Sequence, residues 1–209
     1  MLTLVLTFAV AAVLIILLPG PDTLVVLRNL VRDGRRQAAL TAAGVLTGLC
    51  CWASAAAFGL AAVLRASETG YAVLRVVGAI YLVRLGLQSL RFRLAAGEVG
   101  TDLVSAADGR RILGTGFVAG LATNLLNPKV GVFFVTFLPG FIPSGESVVL
   151  FSLLLGAIFI VLTAAYFGVL LVLADRVSAW MSEPRIRRRL DRVTGVVLIG
   201  FGVRLATES

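Results

Sequence analysis

Two ionisable residues stand inside otherwise apolar stretches, each beside a helix-breaking proline. Asp22 lies in Leu18-Pro19-Gly20-Pro21-Asp22-Thr23, and Lys129 in Asn124-Leu125-Leu126-Asn127-Pro128-Lys129. An ionisable group at membrane depth costs roughly 2.5 kcal/mol or more and usually marks a transport path or a proton relay. Proline has no N–H and glycine relaxes the backbone, so Pro19 and Gly20 should end a helix while Pro21 suits the first turn of the next. Asp22 then falls in that first turn, where the helix dipole favours a carboxylate. Capping accounts for this placement locally; a role in transport accounts for its depth as well. The new helix should run from Pro21 to about Asp33 and stop at Gly34. In the second stretch Asn127 is a good N-cap and Pro128 a good first residue, so a half-helix should begin there and continue to the Pro139-Gly140 turn.

Both interruptions expose helix N-termini, whose orphan N–H groups suit the carboxylate of a ligand. One carboxylate, Asp22, and one ammonium, Lys129, match the α-amino and α-carboxylate groups of a zwitterion, with Asn124 and Asn127 beside them. The other reading is a structural Asp22–Lys129 pair that holds two parts of the molecule together.

The elements that carry these residues must be membrane spans. The chain has 209 residues, 59% hydrophobic and 14% charged, with a mean hydropathy of +1.00. Soluble domains average about 45–50% apolar and about 25% charged residues. Residues 1–21, 38–64 and 147–174 carry no charge at all. Two more apolar stretches are 72–90, with Arg75 at its edge and Arg84 inside, and 112–142, with Lys129 inside. The sixth, 193–206, is short and ends near Arg204. At about 20 residues per crossing this predicts an all-α integral membrane protein of about six transmembrane helices.

The halves, about 1–95 and 110–209, are joined by a linker at about 92–111, which makes the whole chain one transmembrane domain. Pro21 and Pro128 are 107 residues apart, and each interrupts the first span of its half. Three spans per half is an odd number, so the halves must be inserted in opposite directions, as two inverted three-helix repeats with Pro-broken first and fourth helices.

The net charge of +8 would suit nucleic acid, but nearly all of the arginine flanks apolar segments and so reports orientation. Fourteen of the 19 basic residues follow the first, third and fifth spans, and three lie on the opposite side. The linker is therefore expected in the cytoplasm, and both termini outside. Histidine is absent, which excludes Ser-His and Cys-His nucleophilic machinery. Cys50 and Cys51 are adjacent in an apolar run and form no metal clasp, so no cofactor and no metal are expected. Arg84 lies near the end of its span, within reach of the headgroups by snorkelling. Gly44-x-x-x-Gly48 and Gly116-x-x-x-Gly120 allow close helix contact.

These residues resemble a known family. Pro19-Gly20-Pro21-Asp22, Arg32-x-Gly34-Arg35-Arg36 and Ala43-Gly44-x-x-x-Gly48 look like the N-terminal signature of the lysine-exporter (LysE/RhtB) family of bacterial amino-acid exporters. Gly78-Ala79-x-Tyr81-Leu82-x-x-x-Gly86, Gly114-x-Gly116 and Asn124-x-x-Asn127-Pro128-Lys129 followed by Phe133-Phe134 resemble its further motifs in order. The resemblance spans about residues 10–205. It implies an inner-membrane secondary exporter of amino acids or their derivatives, driven by the proton gradient and expected, with its small-residue faces, to form a homodimer. It places the functional centre at Asp22, the Pro19–Pro21 break, Asn127, Pro128 and Lys129. Arg84 departs from it, standing where the family has an aromatic or aliphatic residue, a departure that implies either a harmless snorkelling change or an altered substrate preference. A metal or small-ion exporter is the alternative reading. An intramembrane aspartyl protease using Asp22 and Asp175 is a weaker one.

Overall fold

The computed structural model describes residues 2–17, 20–66, 116–143 and 145–173, with single helical positions between 69 and 87 and between 196 and 203. Pro19, the linker at 92–111 and most of the third and sixth expected spans lie outside the described residues. Five α-helices carry the rest: α1 (Leu2–Leu17), α2 (Pro21–Ala66), α3 (Gly116–Leu125), α4 (Pro128–Val132) and α5 (Val148–Val172). Among the described residues two helices are long and apolar enough to cross a membrane, and the bent pair formed by Gly116–Leu125 and Pro128–Phe141 makes a third candidate.

The outer faces show what surrounds the protein. In α5, Phe151, Leu155, Phe159, Thr163, Phe167 and Leu170 recur at helical spacing and are buried. The opposite side, including Leu150, Leu154, Val161, Val169 and Val172, is exposed yet equally apolar. A helix apolar all round, exposed on one side, suits a hydrocarbon solvent. α1 repeats the pattern, with Phe8, Ala11, Ala12 and Ile15 inward and Leu2, Leu6, Val10, Val13 and Leu17 outward.

Gly34 divides α2. Its φ of 82° is non-helical and lies in the left-handed region that glycine adopts without strain. The helix that begins at Pro21 therefore stops where its glycine signal placed the stop. Asn29 Nδ2 donates to Thr41 Oγ1 at 2.6 Å, between two buried side chains. In a straight helix twelve residues would be about 18 Å apart, so the two arms of α2 must fold back alongside each other. Val26 of the first arm shares a core with Ala38, Ala42 and Val45 of the second and with Phe167 and Leu170 of α5.

The second arm crosses α3 at backbone contact. A Cβ on Gly44 would collide with the Phe117 carbonyl, and one on Gly120 with the Thr41 carbonyl. Gly48 leaves room for the Asn124 side chain. Each small-residue motif thus serves close packing, one against the other.

After α4 the chain tightens and loosens within one run: a π-helical turn over Phe133–Phe137, then a 3-10 turn over Leu138–Phe141. The helix therefore passes the expected stop at Pro139-Gly140 and ends at Phe141. Pro139 is tolerated because it sits in the first turn of the 3-10 segment, where a missing N–H costs little. This run brings Phe133, Phe134, Phe137 and Phe141 into one core with Phe8 and Phe159.

Candidate functional site

Each break leaves a carbonyl with no helical donor, and the identity of that carbonyl follows from proline chemistry. In an α-helix the N–H of residue i bonds the carbonyl of residue i−4. Pro19 has no N–H to give, and the Ile15 carbonyl in the last turn of α1 accepts from the Lys129 ammonium of the other break at 2.7 Å. Pro128 likewise frees the Asn124 carbonyl, which accepts from the Asn127 N–H at 3.0 Å and the Trp52 indole N–H at 3.3 Å. Buried backbone groups need such partners. The two breaks are thereby fastened to other elements through their exposed carbonyls.

The new helices begin as the sequence implies. Asn127 caps α4, its side chain accepting from the Lys129 N–H at 3.1 Å, with Pro128 in the first turn. Pro21 opens α2, Gly20 accepts the first bond from the Leu24 N–H at 3.0 Å, and Asp22 occupies the first turn.

The side chains of the two breaks also meet. Asn124 is fully buried, and its Nδ2 donates to Asp22 Oδ2 at 2.9 Å across 102 residues of sequence. Gly48 and Trp52, one turn apart on α2, hold this asparagine through its side chain and its carbonyl respectively. The second carboxylate oxygen, Asp22 Oδ1, is buried, with the Asn127 side chain and the Lys129 ammonium near the carboxylate.

Asp22 and Lys129, with Gly20 and Asn127, line one cleft that is partly open to the outside. Its other walls are Ile15 and Ile16 of α1, Thr23 and Leu49 of α2, Val130 and Phe133 after the second break, and a stripe on α5 formed by Phe159, Thr163, Tyr166 and Phe167. Of the residues singled out from sequence, Asp22, Asn127, Lys129 and Gly20 line this cleft, and Asn124 stands behind Asp22. Pro21 and Pro128 begin the helices that present these side chains. Arg84 is exposed and does not line the cleft. The α5 stripe and the Ile15 carbonyl went unnoticed in the sequence. The stripe has the right spacing, yet nothing in an all-apolar helix separates a cleft face from a packed one.

This arrangement supplies a buried acid, a nearby ammonium and an apolar wall, a set suited to binding a small charged molecule. Comparison with known proteins agrees. The family model for the LysE type translocator matches residues 13–209. A leucine efflux protein of Klebsiella pneumoniae is 31% identical over 97% of this chain and 94% of its own length. A threonine efflux protein of Escherichia coli K12 is 30% identical over 98% of both chains. An uncharacterized membrane protein of Bacillus subtilis, YrhP, is 28% identical over 92% of this chain and 93% of its own length. No solved structure matches the chain. The family model covers nearly the whole chain, which therefore belongs to the LysE-type translocator family.

Proposed function

We propose that this membrane protein is a secondary transporter that exports amino acids across the bacterial inner membrane by proton antiport. The observation that carries this reading is the meeting of Asp22, held by Asn124 from the other break, with Lys129 in one cleft bounded by both broken helices. A buried carboxylate is costly to keep charged, and that cost falls when a proton or a substrate ammonium arrives. Asp22 thus takes the substrate amine and the coupling proton in turn. Lys129 receives the carboxylate.

In this proposal the chain forms six spans in two inverted repeats, with both termini outside, and rocking of one half against the other alternates access to the cleft. The connections between Asn124 and Asp22 and between Lys129 and Ile15 join the two halves at the point where they would pivot. A second copy of the chain completes a homodimer.

The test is export of amino acids from loaded cells expressing matched amounts of wild type, Asp22→Asn or Asp22→Glu. Asp22→Asn keeps an acceptor for Asn124 but holds neither proton nor charge. It should lower export at least about 100-fold, since a missing partner for a buried ion costs about 3–5 kcal/mol. Asp22→Glu should keep part of the activity. Export by Asp22→Asn at the wild-type rate would remove Asp22 from the mechanism.

A further inference from the structure

One side chain grips the second break from the other half of the chain. Trp52, on the second arm of α2, donates its indole N–H to the Asn124 carbonyl at 3.3 Å, on the α3 side of the break. The far edge of the same ring lies against Gly131 in α4, on the other side: a Cβ there would stand 2.8 Å from Trp52 Cη2 and 3.0 Å from Cζ2. The indole therefore reaches across the bend of 51° between Gly116–Leu125 and Pro128–Phe141. It packs against the core that holds Phe133 and Phe134 and is not among the residues that line the cleft.

The residue types suit this contact. Tryptophan is large and rigid, with a donor on one edge and hydrocarbon on the other. Glycine inside a helix is destabilising relative to alanine, yet any side chain at Gly131 would meet the ring. Pro128 removes the helical hydrogen bond to the Asn124 carbonyl, so the backbone alone does not fix the bend. An indole that touches both arms does.

The two arms carry the two ends of the site. Asn124, at the end of α3, donates to Asp22 at 2.9 Å. Lys129, which shares α4 with Gly131, lines the cleft with Asp22. In an amino acid the amine and the carboxylate share one carbon, so the groups that receive them must keep a fixed separation. A change of the bend moves Lys129 relative to Asn124 and Asp22, and a misplacement of about 1 Å can cost about 100-fold in rate.

We propose that Trp52 is a positioning residue for transport: by bridging Asn124 and Gly131 it fixes the bend of the second break, and with it the separation of Asp22 and Lys129. It acts through these residues and touches no substrate itself. The proposal rests on the exporter reading above and deepens it, because a residue of the first half sets the geometry of the break in the second.

The test uses full-length protein in vesicles loaded with a mixture of L-amino acids, with release followed by mass spectrometry. The amino acid that wild type releases fastest then serves to measure KM and kcat per folded protein. Trp52→Phe has no N–H and is too short to reach Gly131. It should raise KM about threefold to tenfold, as loss of one hydrogen bond would, and change kcat less than about twofold, since the loss falls on binding. Gly131→Ala pushes on the ring from the other arm and should raise KM in the same way. In the double variant the alanine methyl fills the space that phenylalanine leaves, so KM should fall below that of Trp52→Phe.

A lower kcat with unchanged KM in both single variants would assign Trp52 to structure alone and overturn the proposal. A double variant whose KM rises by the product of the two single effects would show that the residues act separately, which removes the bridge. Either result leaves amino-acid export intact. Release of no amino acid by folded wild type would overturn the exporter reading and this proposal with it.

Discussion

At the scale of single residues, one lysine serves two elements at once. Lys129 follows the proline of the second break, and its ammonium pairs with the Ile15 carbonyl in the last turn of α1. This gives a prediction distinct from that for Asp22. Lys129→Met keeps the apolar stem but strands the Ile15 carbonyl, which should cost about 1–3 kcal/mol in stability. Lys129→Arg, which still donates, should recover most of that loss. Thermal unfolding in detergent reads this directly, and equal stability of the Met variant and wild type would show that the bond contributes nothing. Transport separates the second role: if Lys129 also receives the substrate carboxylate, Lys129→Met should raise KM more than the stability change explains. Proline chemistry pointed to both breaks and to the Asn127 cap, because a missing N–H acts within four residues. The donor that fills the gap was not legible, since the contact from Lys129 to Ile15 joins residues 114 apart and leaves no spacing in the sequence.

At the scale of helices, the position of Asn124 depends on a backbone crossing. Gly44 and Gly120 let the second arm of α2 and α3 touch along their main chains, and Gly48 leaves room for the asparagine that meets Asp22. Gly44→Val and Gly120→Val should each destabilise the protein by about 1–3 kcal/mol through overpacking and move Asn124 away from Asp22, so transport should fall with stability. Gly59 and Gly168 supply the controls. A Cβ at either meets nothing within 4 Å, so Gly59→Ala and Gly168→Ala should be neutral or up to about 1 kcal/mol stabilising. Melting temperatures of the four variants check the contrast, and uniform losses would mean that the crossing is not specially tight. Spacing made these glycines visible as contact points, and Gly34 visible as a stop. Which helix each motif touches was not visible, because small residues mark a close approach without naming the partner. The α5 stripe was hidden for a related reason. A membrane helix is apolar toward lipid and toward its neighbours, so the period that separates inside from outside in a soluble helix vanishes here.

At the scale of the whole molecule, the question is what drives the cycle. One buried acid sits between the two broken helices, and a group that alternates between proton and substrate amine couples their movements in opposite directions. Vesicles loaded with L-leucine, with the protein reconstituted and an acidic outer buffer, should release it faster than vesicles at equal pH, because inward proton flow accompanies outward substrate flow. The sign follows from exchange at Asp22: outside, a proton displaces the amine, and inside, the higher pH removes that proton and lets the next amine bind. Reversing the gradient should slow release, and an uncoupler should bring both rates to the value at equal pH. Asp22→Asn holds neither proton nor charge, so any residual flux through it should ignore the gradient. A wild-type rate indifferent to both gradient and uncoupler would make the protein a facilitator. Asp22 would then keep the amine site and lose the proton.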